Sequence, residues 1–238
     1  MKRIISFALV CSMLIFVGCS TIDNSSLTEE KVIKIMEKAL GAEEEDDVED
    51  YKRSITKSFN YYDNMKAKGV EEGVYFVADE DETEEIYNYV YGTDVFGTVP
   101  DGVESSVFYI IKNHDAMEFL EFTYIVFETE LDADKYMKEC SDLWEELEDY
   151  CEERNQMKDQ SSAERNLINY SIEKESMLLW CSISVHDCDE YYGIYKQEND
   201  AVIIVAYNCQ SLDSDNKGYL DSICQAFDIT NPDYLKDD

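Results

Sequence analysis

The chain has 238 residues, with 20 Lys and Arg against 54 Asp and Glu, for a formal net charge of −34. Such an acidic surface repels phosphate backbones, and no basic run occurs anywhere, so nucleic acid is excluded as a partner. A content of 45% hydrophobic and 13% aromatic residues excludes a disordered chain, and the length gives one domain, or two small ones, a real core.

The chain opens Met1-Lys2-Arg3, and residues 4–17 carry no charge. A short basic start followed by an apolar run of this length has the pattern of an export signal, and it falls short of the about 20 residues of a membrane span. A buried helix is the competing reading, but a fully apolar helix before a polar linker has no partner face. The run ends Ile15-Phe16-Val17-Gly18-Cys19-Ser20, a small residue directly before a cysteine. This junction resembles the lipobox of bacterial lipoproteins, with Phe16 standing where that family usually has Leu. The resemblance implies cleavage between Gly18 and Cys19 and acylation of the Cys19 thiol. Two acyl chains hold a protein stably at a membrane, because each buried CH2 contributes about 0.8 kcal/mol. Residues 1–18 therefore read as a lipoprotein signal, and residues 19–27 as the lipidated cysteine and its tether. Eight extended residues reach at most roughly 28 Å, which keeps the body near the surface. Loss of residues 1–18 removes Lys2, Arg3 and no acid, so the mature chain carries 18 bases and 54 acids, −36 over 220 residues.

A single α+β domain is expected over residues 28–230, followed by an acidic tail over 231–238. Residues 26–40 read as a helix, with Ser26 and Glu29 in capping-box spacing and Val32, Ile33, Met36 and Leu40 on one face. The run 43–50 holds seven acids in eight residues and reads as solvated. Tyr51, Ile55, Phe59 and Tyr62 repeat every three or four residues up to Gly69, predicting a second helix. Residues 74–77 are β-prone. The acidic run 79–85 follows, and 86–91 fits either strand or helix. A loop occupies 92–102. Residues 107–112 and 117–127 read as a hairpin around Asn113, His114 and Asp115. The clearest helix starts at Thr129, with Ala133, Tyr136, Cys140, Leu143, Leu147, Tyr150 and Arg154 forming one stripe. Strands are expected at 177–185, 191–196 and 201–207, then a helix over 217–227. Hairpins dominate, so the sheet should be mainly antiparallel with helices packed on one face. The stretches EFLEFTYIVFETELDADKYM and YYGIYKQENDAVIIVAYN look like those of uncharacterised Gram-positive lipoproteins, a similarity that implies no activity.

Setting aside Cys11 and Cys19 leaves Cys140, Cys151, Cys181, Cys188, Cys209 and Cys224. An even set in an exported chain makes these candidate disulfide partners, with 15 pairings open. Cys140 and Cys151 cannot pair with each other. On one helix they stand roughly 16 Å apart, and a disulfide tolerates 4.4–6.8 Å. Each would bridge to the C-terminal half or pack as a small apolar residue.

Other site patterns yield to plainer readings. Residues 213–218 (DSDNKG) resemble the start of an EF-hand loop, but Lys217 takes the fifth position and Cys224 the twelfth, so a turn capping the last helix is preferred. Cys181, His186 and Cys188 offer zinc-ligand types without a C-x-x-C pair, and oxidised or core cysteines are preferred. The acidic runs 43–50 and 79–82 would gather calcium only weakly. Tyr87, Tyr89 and Tyr91 would share a face if extended, which is more often sheet packing than a sugar platform. The motifs G-x-S-x-G, H-E-x-x-H, G-x-x-x-x-G-K-[ST] and G-x-G-x-x-G are absent, and only two histidines occur. No catalytic residue, metal ligand or cofactor is assigned.

The expectation is a lipid-anchored module outside the cytoplasm, bound to the membrane through its lipid, that binds a protein, cationic or cell-envelope ligand without catalysis. The alternatives are a hydrolase of envelope polymers working through two carboxylates, recognisable by an acid whose pKa burial raises, and a weakly calcium-responsive surface protein.

Overall fold

A computed structural model of the chain describes residues 27–59, 73–91, 96–113, 118–157, 167–183, 188–198, 200–210 and 218–236. The lipobox junction, Cys19 included, and the EF-hand-like residues 213–217 lie outside them, as do His114, Asp115 and His186.

Thr28 caps the first helix, α1 (Glu29–Ala39), by accepting from the Lys31 backbone N–H at 3.4 Å; Ser26 lies outside the described residues. Val32, Ile35 and Met36 are its buried stripe, and Gly41 at φ +67 lets the chain turn away. Part of the acidic run, Glu43–Glu44, forms a short strand β1 parallel to β2 (Val74–Ala78). Residues 48–50 of that run open α2 (Val48–Phe59).

The second acidic run is also structured. Asp79 and Glu82 form a capping box, at 3.0 and 3.2 Å, that starts α3 (Glu80–Val90). Three acids in the first turn meet the positive end of the helix dipole, so the charges that suggest a loop nucleate a helix instead. Residues 86–90 are therefore helical. Tyr87 and Tyr91 are buried while Tyr89 is 45% exposed, so the three do not share a face.

The hairpin strands are β3 (Val103–Asn113) and β4 (Glu118–Phe127), and the long helix is α4 (Glu130–Met157). The chain then crosses to the far edge of the sheet and returns as a meander: β5 (Leu167–Ile172), β6 (Ser176–Ile183), β7 (Cys188–Gln197) and β8 (Ala201–Gln210). Helix α5 (Gly218–Phe227) follows. Residues Pro232–Lys236, expected to be part of an acidic tail, instead form a 3-10 helix whose Leu235 is buried. A buried leucine beside Pro232 outweighs the flanking acids there.

The eight strands run in the order β1-β2-β3-β4-β8-β7-β6-β5, and every pairing except β1–β2 is antiparallel. The α+β class and the mainly antiparallel sheet match the expectation. The helices, however, divide between both faces. On β8, Ala201, Ile203, Val205, Tyr207 and Cys209 face a core with α1, α5 and Leu235. Val202, Ile204 and Ala206 face a second core with α2, α3 and α4. The cause is in the strands: β8 is apolar from Ala201 to Tyr207, and β4 carries apolar side chains toward both faces, so each needs cover on two sides.

Packing is tight around Gly193 on β7. A Cβ there would overlap the Tyr195 ring, whose hydroxyl donates to the Thr230 carbonyl at 2.5 Å. Gly193→Ala should therefore displace Tyr195 and cost about 1–3 kcal/mol, measurable as a lowered melting midpoint by circular dichroism. An unchanged midpoint would mean that Tyr195 moves aside freely.

Candidate functional site

Three carboxyl side chains on the sheet are almost fully buried, and two of them are plainly partnered. Glu118 accepts from the Tyr207 hydroxyl at 2.6 Å, and Asp189 from Lys236 Nζ at 2.7 Å. Glu121, the third, is 6% exposed, and its Oε1 has no hydrogen-bond partner. Burial pushes its carboxyl well above the usual carboxylate range, and no cation offsets that shift. Burial favours its protonated form.

The position of Glu121 follows from strand alternation. Leu120, Phe122 and Tyr124 point to the α1 side, so Glu121 and Thr123 point between α2–α3 and α4. Glu121 pairs with Ile110 on β3 and Ala206 on β8, near the middle of the sheet. Its carboxyl acts on the hydroxyls of Tyr51 on α2, Tyr91 at the end of α3, and Tyr192 on β7. Burial raises the pKa of all three, and Glu121 adds to each shift.

Aromatic rings continue around it. Tyr91 packs edge-on against Phe96 at 4.8 Å between centroids, and Phe96 against Tyr192 at 5.4 Å. Tyr51 lies 5.8 Å from Phe76 and 6.4 Å from Phe108. The Tyr91 hydroxyl is shared with Thr123 Oγ1 at 2.6 Å. Behind it, the Tyr87 hydroxyl reaches the Phe96 carbonyl and the Tyr136 hydroxyl, both at 2.9 Å.

One end of this seam is polar. Tyr192 donates to Glu190 Oε2 at 2.7 Å, and the Cys181 thiol to the same oxygen at 3.4 Å. Asn208 on β8 presents a second buried acceptor, Oδ1, that has no partner. Asn208 pairs with Phe119 and with Glu190, two positions along from Glu121 on the same face. Lys112 on β3 pairs with Phe119 at this end, and burial lowers its pKa. The arrangement can accept hydrogen bonds, surround an apolar body with rings, and give up one proton.

No family model and no curated protein matches this chain. Among solved structures, the extracellular domain of PknH from Mycobacterium tuberculosis is similar at a TM-score of 0.37, with 10% identity over 69% of this chain and 78% of that one. Likeness of that degree assigns neither family nor function.

The cysteines are placed as follows. Cys140, Cys181, Cys209 and Cys224 are present as thiols. Cys140 belongs to the core under α2, α3 and α4, with Cys181 packed against it, whereas Cys209 and Cys224 belong to the opposite core. The sheet therefore stands between Cys140 and both Cys209 and Cys224. Burial pushes the Cys140 and Cys224 thiols up to about 12, which leaves them unreactive. Cys151 lies in α4 and Cys188 in β7, with side chains outside the described residues. Glu121 escaped sequence reasoning because 54 acids gave no basis for choosing. The usable signal was an acid between Leu120 and Phe122, inside a strand apolar on both faces.

Proposed function

We propose that this chain is an exported lipoprotein, anchored through acyl chains on Cys19, whose folded body binds a ligand outside the cytoplasm and performs no catalysis. The observation that carries the reading is the Gly18–Cys19 junction at the end of a charge-free apolar run. The start of the folded body supports it. Leu27, the last tether residue, packs against the α1-side core, and its carbonyl accepts from the Tyr124 hydroxyl at 2.7 Å. A chain anchored at Cys19 would thus be fastened to the sheet within eight residues of its lipid. No helix among the described residues is long and apolar enough to cross a membrane.

Mass spectrometry of the protein made in a bacterial host tests the anchor. The expected mature form begins at an acylated Cys19 and sediments with membranes, and Cys19→Ala leaves the chain uncleaved or released. A soluble form retaining Met1 would overturn the reading.

Glu121 favours a second reading, the hydrolase of envelope polymers, because it supplies an acid kept protonated by burial. Its 6% exposure beneath a ring-lined seam suits a small ligand better than a polymer chain. The calcium-responsive alternative loses support where the acidic runs are used locally, in β1 and at the starts of α2 and α3.

A further inference from the structure

We propose that the seam between α2–α3 and α4 binds a small primary ammonium cation, with Glu121 and Asn208 accepting its N–H groups and Tyr51, Tyr91 and Tyr192 enclosing its carbon body. This deepens the binding reading by naming a ligand class; it rests on the folded body and not on the anchor.

Two orphan acceptors make the case. Folded proteins leave few buried polar atoms unpaired, and each one calls for a specific partner. Here Glu121 Oε1 and Asn208 Oδ1 both lack one. They sit on adjacent antiparallel strands, on one face, at a diagonal spacing of roughly 7–8 Å. A species that satisfies both must bring donors and no acceptor. An ammonium group does so with three N–H bonds.

The surroundings select against an inorganic cation. A metal ion would want several oxygens at short range, whereas the side chains near Glu121 are Ile110, Ala206, aromatic rings and Thr123. Aromatic faces hold organic ammonium groups by cation–π attraction, and their edges pack against methylenes. The end formed by Asn208, Glu190 and Tyr192 is half-buried, whereas Tyr51 and Tyr91 are buried.

Among the described residues, the titratable groups around Glu121 are Tyr51 on α2, Tyr87 on α3, Tyr91 after it, Tyr136 and Cys140 on α4, Tyr192 and Glu190 on β7, Cys181 on β6, and Lys112 on β3. Burial holds the tyrosines and Cys140 neutral at pH 7. Glu121, the buried carboxyl with an unpartnered oxygen, is the group that yields its proton when an ammonium arrives. The ammonium keeps its three protons, and the carboxyl proton passes to buffer.

Titration calorimetry on the purified full chain at pH 7 tests this, with n-butylammonium chloride run in two buffers of different ionisation enthalpy. Saturable binding is expected, with close to one proton released per ligand. Tetramethylammonium chloride, which has no N–H, should bind at least tenfold more weakly. Glu121→Gln, which keeps the shape and removes the ionisation, should lose the proton release and at least tenfold in affinity, about 1.4 kcal/mol. Asn208→Ala should lose affinity but keep the release. Absence of saturable heat at millimolar n-butylammonium would mean that ordered water fills the seam and would overturn the proposal. Equal affinity in a folded Glu121→Gln chain would overturn it too. Neither result bears on the acylated N-terminus, which mass spectrometry reads separately.

Discussion

At pH 8, Glu121→Gln should raise the midpoint of thermal unfolding above that of the unaltered chain, and by pH 4 the two midpoints should nearly coincide. Glu121 is buried, its Oε1 is unpaired, and its folded pKa is raised above the 4.5 of a free side chain. Between those two pKa values the folded state holds a proton that the unfolded state has lost. The unfolded state therefore binds fewer protons, and stability falls as pH rises. The stability that the acid contributes is fully present below about pH 4.5 and is lost as pH climbs toward the folded pKa. Through this carboxyl, each pH unit in that window removes about 1.4 kcal/mol from the unaltered chain, a loss that the glutamine variant does not share. Differential scanning calorimetry across pH 4–8, without added amines, measures the divergence. Parallel midpoints at all pH values would mean that Glu121 is already ionised and paired.

Trp144→Ala should destabilise the chain by about 3–5 kcal/mol. Trp144 is 0% exposed and completes the inner stripe of α4 with Ala133, Tyr136, Met137 and Cys140. That stripe fixes the long helix over the sheet, so removal of the indole leaves a cavity between two rigid surfaces. For a chain of this length the loss corresponds to a fall in midpoint of about 10 °C. Leu131→Ala, at the second position of the same helix and 75% exposed, should stay within about 0.5 kcal/mol. Circular dichroism reads both variants without relying on tryptophan emission. Equal midpoints for the two would show that α4 contributes little to the fold.

The parts legible in the sequence were those with strong periodicity. The β3–β4 hairpin, the long helix after Thr129 and the β7–β8 hairpin all lie close to where alternation and three-four spacing predict them. Trp144 was missed because the stripe was drawn through Leu143, one position off, and Leu143 is only partly buried. Strand β5 was missed because residues 160–162 look like a long polar break. The acidic runs misled most. A charge run is usually solvated loop, yet Asp79 and Glu82 are acids at the two positions of a capping box, where acid is favoured. The one-faced arrangement failed for a reason visible in AVIIVAY, a strand with no polar alternation and hence no solvent side. Glu121 became meaningful only once that strand environment was known.

The sheet's first edge is formed by Glu43 and Glu44, a strand of two exposed residues pairing parallel to β2. An unpaired strand edge is a template for another chain. Two adjacent carboxylates on a stub this short repel an identical neighbour and offer it almost no backbone to zip onto. At the opposite edge, Asn169 on β5 donates to the Leu235 carbonyl at 2.9 Å, so the C-terminal 3-10 helix draws across that flank. Copies packed shoulder to shoulder would thus slide past one another without fusing their sheets.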